Sequence, residues 1–290
     1  ATGSPDAGFY IGQCYPCDAI VNNVVSEYNG LGYSGTNSGG SLYITSSIFR
    51  NNKGGLAPNT LDSELLPPER ETFIIGNLIE NNNNYNSPAT NSTYLSYGNG
   101  VVIAGGNNNI IKNNVIVDHD LYGVILTASM DVNYWPAHGN RVEENLILSS
   151  RKADIAVSGV SNLANCFEGN YFNTSIPPGL QALNGCENNI IPLSADLSGL
   201  WSTIARLIYA NTGDFYQDDW RTLPAPEQQE NMPIMQEIID ANDNGQYELG
   251  FYQYLPSFRN SVKPAVNVYE DYKYTLKDVQ LPQDAIKYLN

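Results

Sequence analysis

A short apolar stretch behind a glycine returns along this chain at a nearly constant interval, and that recurrence limits the fold more than any other feature. It appears as Gly8-Phe9-Tyr10-Ile11, Gly32-Tyr33, Gly55-Leu56, Gly100-Val101-Val102-Ile103 and Gly123-Val124-Ile125-Leu126. Asp154-Ile155-Ala156-Val157 then takes the same place, and Gly179-Leu180 follows. The spacings are 24, 23, 45, 23, 31 and 25 residues, so the bare unit is about two dozen residues long and two units carry insertions. A second β-patterned stretch follows each of the first six anchors, at residues 19–24, 42–48, 73–78, 110–115, 141–146 and 166–171. One lane through these stretches reads Asn23, Ser47, Asn77, Asn114, Asn145 and Asn170.

Apolar alternation with a period of two buries only one face of a strand. Stacking successive units in register turns those faces into one continuous core. Asn in a lane at a bend can bond the Asn above and below it, satisfying polar groups that a tight bend leaves unpaired. Gly at the anchor is expected to supply the backbone freedom of a sharp corner. Helix is a poor alternative over residues 8–192, because Gly and Asn interrupt every longer apolar run. The chain therefore reads as all-β: a right-handed parallel β-helix of six to seven rungs over residues 1–192, then an irregular, partly helical extension over 193–290. Within the extension, residues 201–209 read as a helix closing the solenoid, 222–233 as an extended linker and 235–241 as one or two helical turns. The Tyr-rich last 45 residues read as a tail packing on the solenoid or on a partner. Residues 1–7 are too few to cap the opposite end, which implies further rungs upstream or another protein chain covering that end. A start at Ala1 rather than Met fits a processed or trimmed product.

Charged residues make up only 15% of the chain, against about 25% in ordinary soluble proteins, so the polar surface is built from Asn, Ser, Thr and Gly. The formal charge is −16. Nucleic acid is thereby disfavoured as a partner, since its binding rests on Lys and Arg neutralising phosphates. Anionic membrane surfaces are disfavoured for the same reason, and no apolar run reaches the length of a membrane span. A divalent cation, a cationic partner or a neutral sugar remains compatible.

The four cysteines form two near pairs, Cys14/Cys17 and Cys166/Cys186. Two local disulfides in an oxidising compartment are expected, hence an extracellular, cell-surface or periplasmic location. The alternatives are a reduced Cys-x-x-Cys redox site, whose Tyr15-Pro16 centre reads as a turn rather than a helix start, and a four-cysteine zinc site, for which the second pair lacks tight ligand spacing.

The rung repeat and the opening Asp6-Ala7-Gly8-Phe9-Tyr10-Ile11-Gly12-Gln13 resemble those of the pectate-lyase-like and periplasmic copper-maturation-type right-handed β-helix proteins, over about residues 6–192. That resemblance implies the fold. It leaves activity open, because one solenoid hosts lyases, hydrolases, epimerases and inert scaffolds.

Insertions gather at two turns. Turn A, after the anchor strand, holds the Cys14/Cys17 loop, residues 57–71, and residues 128–138 with Tyr134 and Trp135. Turn B, after the second strand, holds residues 82–98 with Tyr85, Tyr94 and Tyr97. Its rungs line up as Glu27-Tyr28-Asn29, Asn51-Asn52-Lys53, Asn81-Asn82-Asn83, Asp118-His119-Asp120 and Ser149-Ser150-Arg151. Stacking sets Asp120 and Arg151 about 5 Å apart at their backbones, with Lys53 two rungs away. A polysaccharide lyase or epimerase needs a base for the proton beside a uronate carboxylate, and a cation to hold that carboxylate. Lys53 or His119 are candidate bases, Arg151 the clamp, and Asp118 with Asp120 an orienting pair or a Ca2+ site. Asp118-His119-Asp120 resembles the Asp-Pro-His-Asp run of alginate epimerases, without its Pro. Tyr94, Tyr97, Tyr134 and Trp135 are candidates to stack on sugar rings. Glu64, Glu69, Asp118 and Asp120 are candidate paired acids for glycoside hydrolysis. Two functions follow: a secreted β-helix that binds, and on the catalytic reading modifies, an extracellular polysaccharide, or a non-catalytic structural or assembly subunit.

Overall fold

In a computed structural model of the chain, residues 1–90, 96–158, 164–186 and 279–289 are described. They all lie in one compact unit, 1–224 with 278–290; the second unit, Ala225–Lys277, lies outside the described residues. So do the expected helices at 201–209 and 235–241, the linker at 222–233, and Tyr94.

The unit is a parallel β-helix with three strands per rung. The first rung runs Ala7–Tyr10, Ala19–Asn22 and Val25–Glu27; the second runs Leu31–Thr36, Gly39–Thr45 and Ile48–Arg50. Equivalent strands stack in parallel into a seven-stranded first sheet and six-stranded second and third sheets. Register is tight: Val101 pairs with Leu56 on one side and Val124 on the other. The stretches read as one second strand are thus two strands around a corner. Inward positions form continuous apolar columns, Tyr33, Leu56, Val101, Val124 and Ile155 from the first sheet, and Phe49, Ile79, Ile116 and Ile147 from the third. Each residue shields its neighbours above and below, so a side chain too small to exclude water alone does so collectively.

The corners carry the specific bonding. Between the second and third sheets, Asn77 donates its backbone N–H and Nδ2 to Oδ1 of Asn114, at 2.9 and 3.0 Å. Asn114 repeats this toward Asn145, and Asn145 toward Asn170. Each spare Nδ2 proton goes to a rung carbonyl, as Asn114 to Ile74. The column assigned from sequence is therefore real from Ser47 onward. Its first member is Val24 and not Asn23: the Val24 N–H donates to Ser47 Oγ, while Asn23 is the left-handed residue just before, with φ 54°.

Two further ladders hold the other corners. Asn109, Asn140 and Asn165 bond in series between the first and second sheets. Asn29, Asn52 and Asn82 do so between the third and first. The latter explains the anchor glycines. None of Gly8, Gly32, Gly55, Gly100 or Gly123 has positive φ, so corner freedom is not their role. A Cβ on Gly32 would stand 3.0 Å from Asn52 Nδ2, on Gly100 2.7 Å from His119 Nε2, and on Gly123 3.0 Å from Ser150 Oγ. The next rung's backbone is closer still: the Gly100 carbonyl would overlap a Cβ on Gly55, and the Gly123 carbonyl would stand 2.5 Å from one on Gly100, so glycine at the anchor makes room for the neighbouring strand as well as for the ladder.

At the far end, the helix Leu180–Leu183 closes the stack: Leu180 is buried in the core, and Gln181 Oε1 accepts from Asn170 as the last ladder acceptor. Residues 279–289 return to the outside of the third sheet, where Leu281, Ala285 and Tyr288 cover Leu78, Val115 and Val117. Arg50 bonds Asp284 at 3.0 Å and Lys287 meets Glu80 at 2.9 Å. Among the described residues no helix is long and apolar enough to cross a membrane.

The neighbours Asn113 and Asn114 should respond oppositely to substitution. Asn114→Ala strands the backbone N–H and one Nδ2 proton of buried Asn77 and the Ile74 carbonyl, and urea unfolding should show a loss of about 3 kcal/mol, taking about 1–3 kcal/mol per unsatisfied buried group. Asn113→Gly occupies a left-handed position with φ 54° and should leave the midpoint nearly unchanged.

Candidate functional site

Turn B, the corner between the third and first sheets, brings together most of the charged and aromatic candidates. Each bare rung turns here on a left-handed residue followed by a ladder residue: Tyr28 and Asn29, Asn51 and Asn52, Asn81 and Asn82, Asp118 and His119, Ser149 and Ser150. The first rung is therefore Tyr28-Asn29-Gly30, one residue later than the sequence alignment placed it. The residue after the ladder faces outward, which puts Lys53, Asn83, Asp120 and Arg151 on successive rungs.

His119 occupies the ladder position itself. Its Nδ1 accepts from the Asn82 N–H at 3.4 Å, and its Nε2 lies 3.3 Å from the Ile79 carbonyl. A carbonyl only accepts, so the proton resides on Nε2 and the ring is neutral. The residue is 2% exposed. Burial pushes the imidazole down to about 4, against the opposing pulls of Ile79 and Asp120. This corrects its candidacy as a base: both nitrogens are engaged inside the solenoid and neither faces a ligand. Histidine here is a longer substitute for the ladder asparagine.

The remaining residues form a surface strip. Arg151 Nε donates to the Asp120 carbonyl at 3.2 Å and lies 3.8 Å from its carboxylate. The Tyr97 hydroxyl sits between Asp120 Oδ2, at 3.0 Å, and the Asn83 carbonyl, at 3.2 Å. Tyr85 meets Tyr97 edge to face with centroids 6.3 Å apart, a preferred aromatic geometry. Lys53 is buried, donates from Nζ to the Tyr85 carbonyl at 2.7 Å, and lies 5.0 Å from the Tyr85 ring centre. That engagement makes Lys53 a support for the inserted loop, and its burial keeps Nζ from solvent. Tyr85 was not among the sequence candidates, although its loop was; the Lys53 contact that fixes it links residues 32 positions apart.

Asp118 is exposed at its left-handed position, where its carbonyl accepts from Asn83 Nδ2. Among the described residues, the one group of three possible metal-ligand side chains within 4.8 Å is Glu143, Cys166 and Cys186, and those sulfurs are joined. Asp118 and Asp120 thus have no third carboxylate, His or Cys donor beside them at that distance, whereas calcium takes six to eight oxygens.

Tyr134 and Trp135 belong elsewhere, at turn A on the opposite edge of the first sheet. They form a small hairpin with Ser129–Met130. Trp135 Nε1 donates to Asp62 at 3.1 Å, and Asn133 donates to the same carboxylate from N and Nδ2. The Asn133 bonds, foremost, hold the Asp62 carboxyl below the usual range. Glu64 accepts from the Tyr10 hydroxyl at 2.6 Å. Glu69 is fully buried, accepting from Thr72 and Asn109 at 2.8 Å each. Burial pushes its carboxyl up to about 8, outweighing those bonds. The four acids proposed as hydrolytic pairs are therefore divided between two corners, and Glu69 is sealed in a ladder. Both cysteine pairs are disulfides, Cys14–Cys17 in turn A and Cys166–Cys186 tying the last strand of the second sheet to the segment beyond the closing helix.

No protein-family model matches this chain, and no curated protein gives a significant match. Among solved structures, the chain is similar to the A-module of the Azotobacter vinelandii mannuronan C-5 epimerase AlgE4, at 17% identity and a TM-score of 0.37. The match covers 58% of this chain and 53% of that one, so it spans about half the length of the epimerase module.

Two substitutions separate ladder roles from catalytic ones. His119→Asn restores the acceptor for Asn82 and should hold the melting temperature near wild type, whereas His119→Leu strands the Asn82 N–H and the Ile79 carbonyl and should cost about 1–3 kcal/mol. Glu69 is protonated in the folded state and ionises from 4.5 when unfolded, so its contribution is complete below that pH and disappears as pH rises through about 8. Thermal unfolding should accordingly show falling stability across that window, and Glu69→Gln should flatten the profile.

Proposed function

We propose that this chain is a β-helix of an oxidising, non-cytoplasmic compartment that binds a polysaccharide along turn B. The observation that carries this reading is Tyr85. The residue is 46% exposed yet held in place by Lys53 and by its edge-to-face contact with Tyr97. Sugar rings present apolar C–H faces to such a surface and hydroxyls to its rim. Ligand sites of this kind combine aromatic area with a few placed polar groups; the Tyr97 hydroxyl stands in the same loop, and Asp120 and Arg151 one and two rungs away. A rigid tyrosine gives contact area at low entropic cost. The solenoid repeats its polar groups along its axis, which suits a polymer with a repeat of its own.

The reading is of binding. His119 is internal and Lys53 is engaged, so the strip offers neither base in reach of a ligand. The two disulfides fit an oxidising compartment.

Titration with neutral and uronate-containing oligosaccharides, followed by tyrosine fluorescence, checks the proposal. Tyr85→Ala should raise Kd about tenfold, equal to ~1.4 kcal/mol, and Arg151→Ala should raise it less. His119→Asn should leave Kd unchanged. Silence of the wild-type chain across both glycan classes would sink the reading.

A further inference from the structure

Turn A carries a surface of a different character. Three loops from the first, third and fifth rungs are tied into one platform. Tyr10 bonds Glu64, and Gln13 Oε1 accepts from the Leu65 N–H at 3.1 Å. Asp62 receives Asn133 and Trp135, while its own N–H donates to Asp131 at 2.8 Å. The Cys14–Cys17 disulfide closes the first loop. Residues distant in sequence are thus held in fixed relation, unlike the tip of an ordinary loop.

On this platform Val132 is 84% exposed and Leu65 70%, and Leu66, Met130 and Tyr134 are exposed on the same bonded loops. Single exposed apolar residues are ordinary; a set of them on hydrogen-bonded neighbouring loops marks a surface built for contact. The rim is acidic, with Asp18, Asp62, Glu64, Glu71 and Asp131. The basic side chain in these loops, Arg70, stacks 3.7 Å over the Tyr15 ring and donates to the Leu66 and Pro68 carbonyls, and its single charge leaves the carboxylates in excess.

We propose that turn A docks a second protein chain presenting an apolar ridge flanked by Lys or Arg. The apolar residues supply the buried area, and the acidic rim supplies orientation and faster encounter. A second copy of this chain is the poorer fit. An isologous contact would set the same acidic rim against itself, between molecules each carrying a formal charge of −16. Pre-ordered loops lower the cost of docking, because little conformational freedom remains to be lost. The platform lies across the first sheet from Tyr85, so a glycan and a protein can be held at once.

The test uses the full chain and two synthetic amphipathic helices of one pattern, one of Leu and Lys and one of Leu and Glu, each followed by fluorescence anisotropy. The Leu–Lys helix should bind with Kd on the order of micromolar, and the Leu–Glu helix should not bind. Leu65→Ser with Val132→Ser retains every charge and should weaken binding at least about tenfold; Val132→Glu should weaken it further. Both positions are exposed, and unchanged melting curves and oligosaccharide titrations should accompany the loss. Equal binding to the doubly substituted chain would reduce the effect to bulk charge and overturn the proposal. So would failure of the Leu–Lys helix to bind, equal binding of the Leu–Glu helix, or sedimentation of the chain alone as a dimer that the double substitution dissolves.

Discussion

The structure depends on side-chain amides that replace backbone partners at the corners. A chain that turns three times per rung must leave strand geometry three times, each time taking an N–H out of the sheet pattern. In every ladder an Asn Oδ1 accepts both the backbone N–H and the Nδ2 of the residue one rung away. Its remaining proton goes to a strand carbonyl of the adjacent rung. A buried amide that satisfies all of these groups turns a costly polar burial into a device of register. Other features follow from it. The residue before each ladder member is left-handed, the anchor is glycine because the ladder side chain and the next rung's backbone together fill the space of a Cβ, and each column needs an end group. Gln181 ends one column. The turn B series runs from Asn29 to His119, and beyond it Asp154 accepts from the Ser150 N–H with one oxygen and from the 173–174 backbone with the other.

With the shaft so constrained, chemical variety is confined to the turns. The two corners beside the first sheet have accepted insertions and the corner between the second and third has not, which leaves that ladder as the longest. Turn B has gained a tyrosine-bearing loop laced to the rungs beside it; turn A has gained loops that bond one another across the bare rungs between them. The first offers aromatic area with polar edges, the second apolar side chains with an acidic edge. They are separate surfaces because the first sheet stands between them.

Much of the fold was legible because a period is a one-dimensional signal. Alternation located the strands, the interval located the rungs, and the lane from Asn77 to Asn170 located one corner. Errors arose where residue type was read without its orientation. Asn23 and Val24 differ by one position, but one is a left-handed outward residue and the other a ladder member. The same slip displaced Tyr28-Asn29-Gly30. His119 looked like a reactive group beside two aspartates, and nothing in Asp118-His119-Asp120 says that its middle member points inward. Tyr134 and Trp135 were assigned to turn A from their place after the anchor strand, and the structure finds them there, in a hairpin bonded to Asp62.

By itself the sequence determined that this chain is a stacked solenoid with bonded corners. Apolar alternation, a repeated interval and recurrent Asn suffice for that, because each acts between equivalent positions of neighbouring rungs. Tertiary structure alone decided which polar groups remain at the surface. Whether a histidine or a carboxylate meets solvent depends on the residue stacked one rung away, and that neighbour lies 23 to 40 positions off, a distance set by the lengths of the insertions between them.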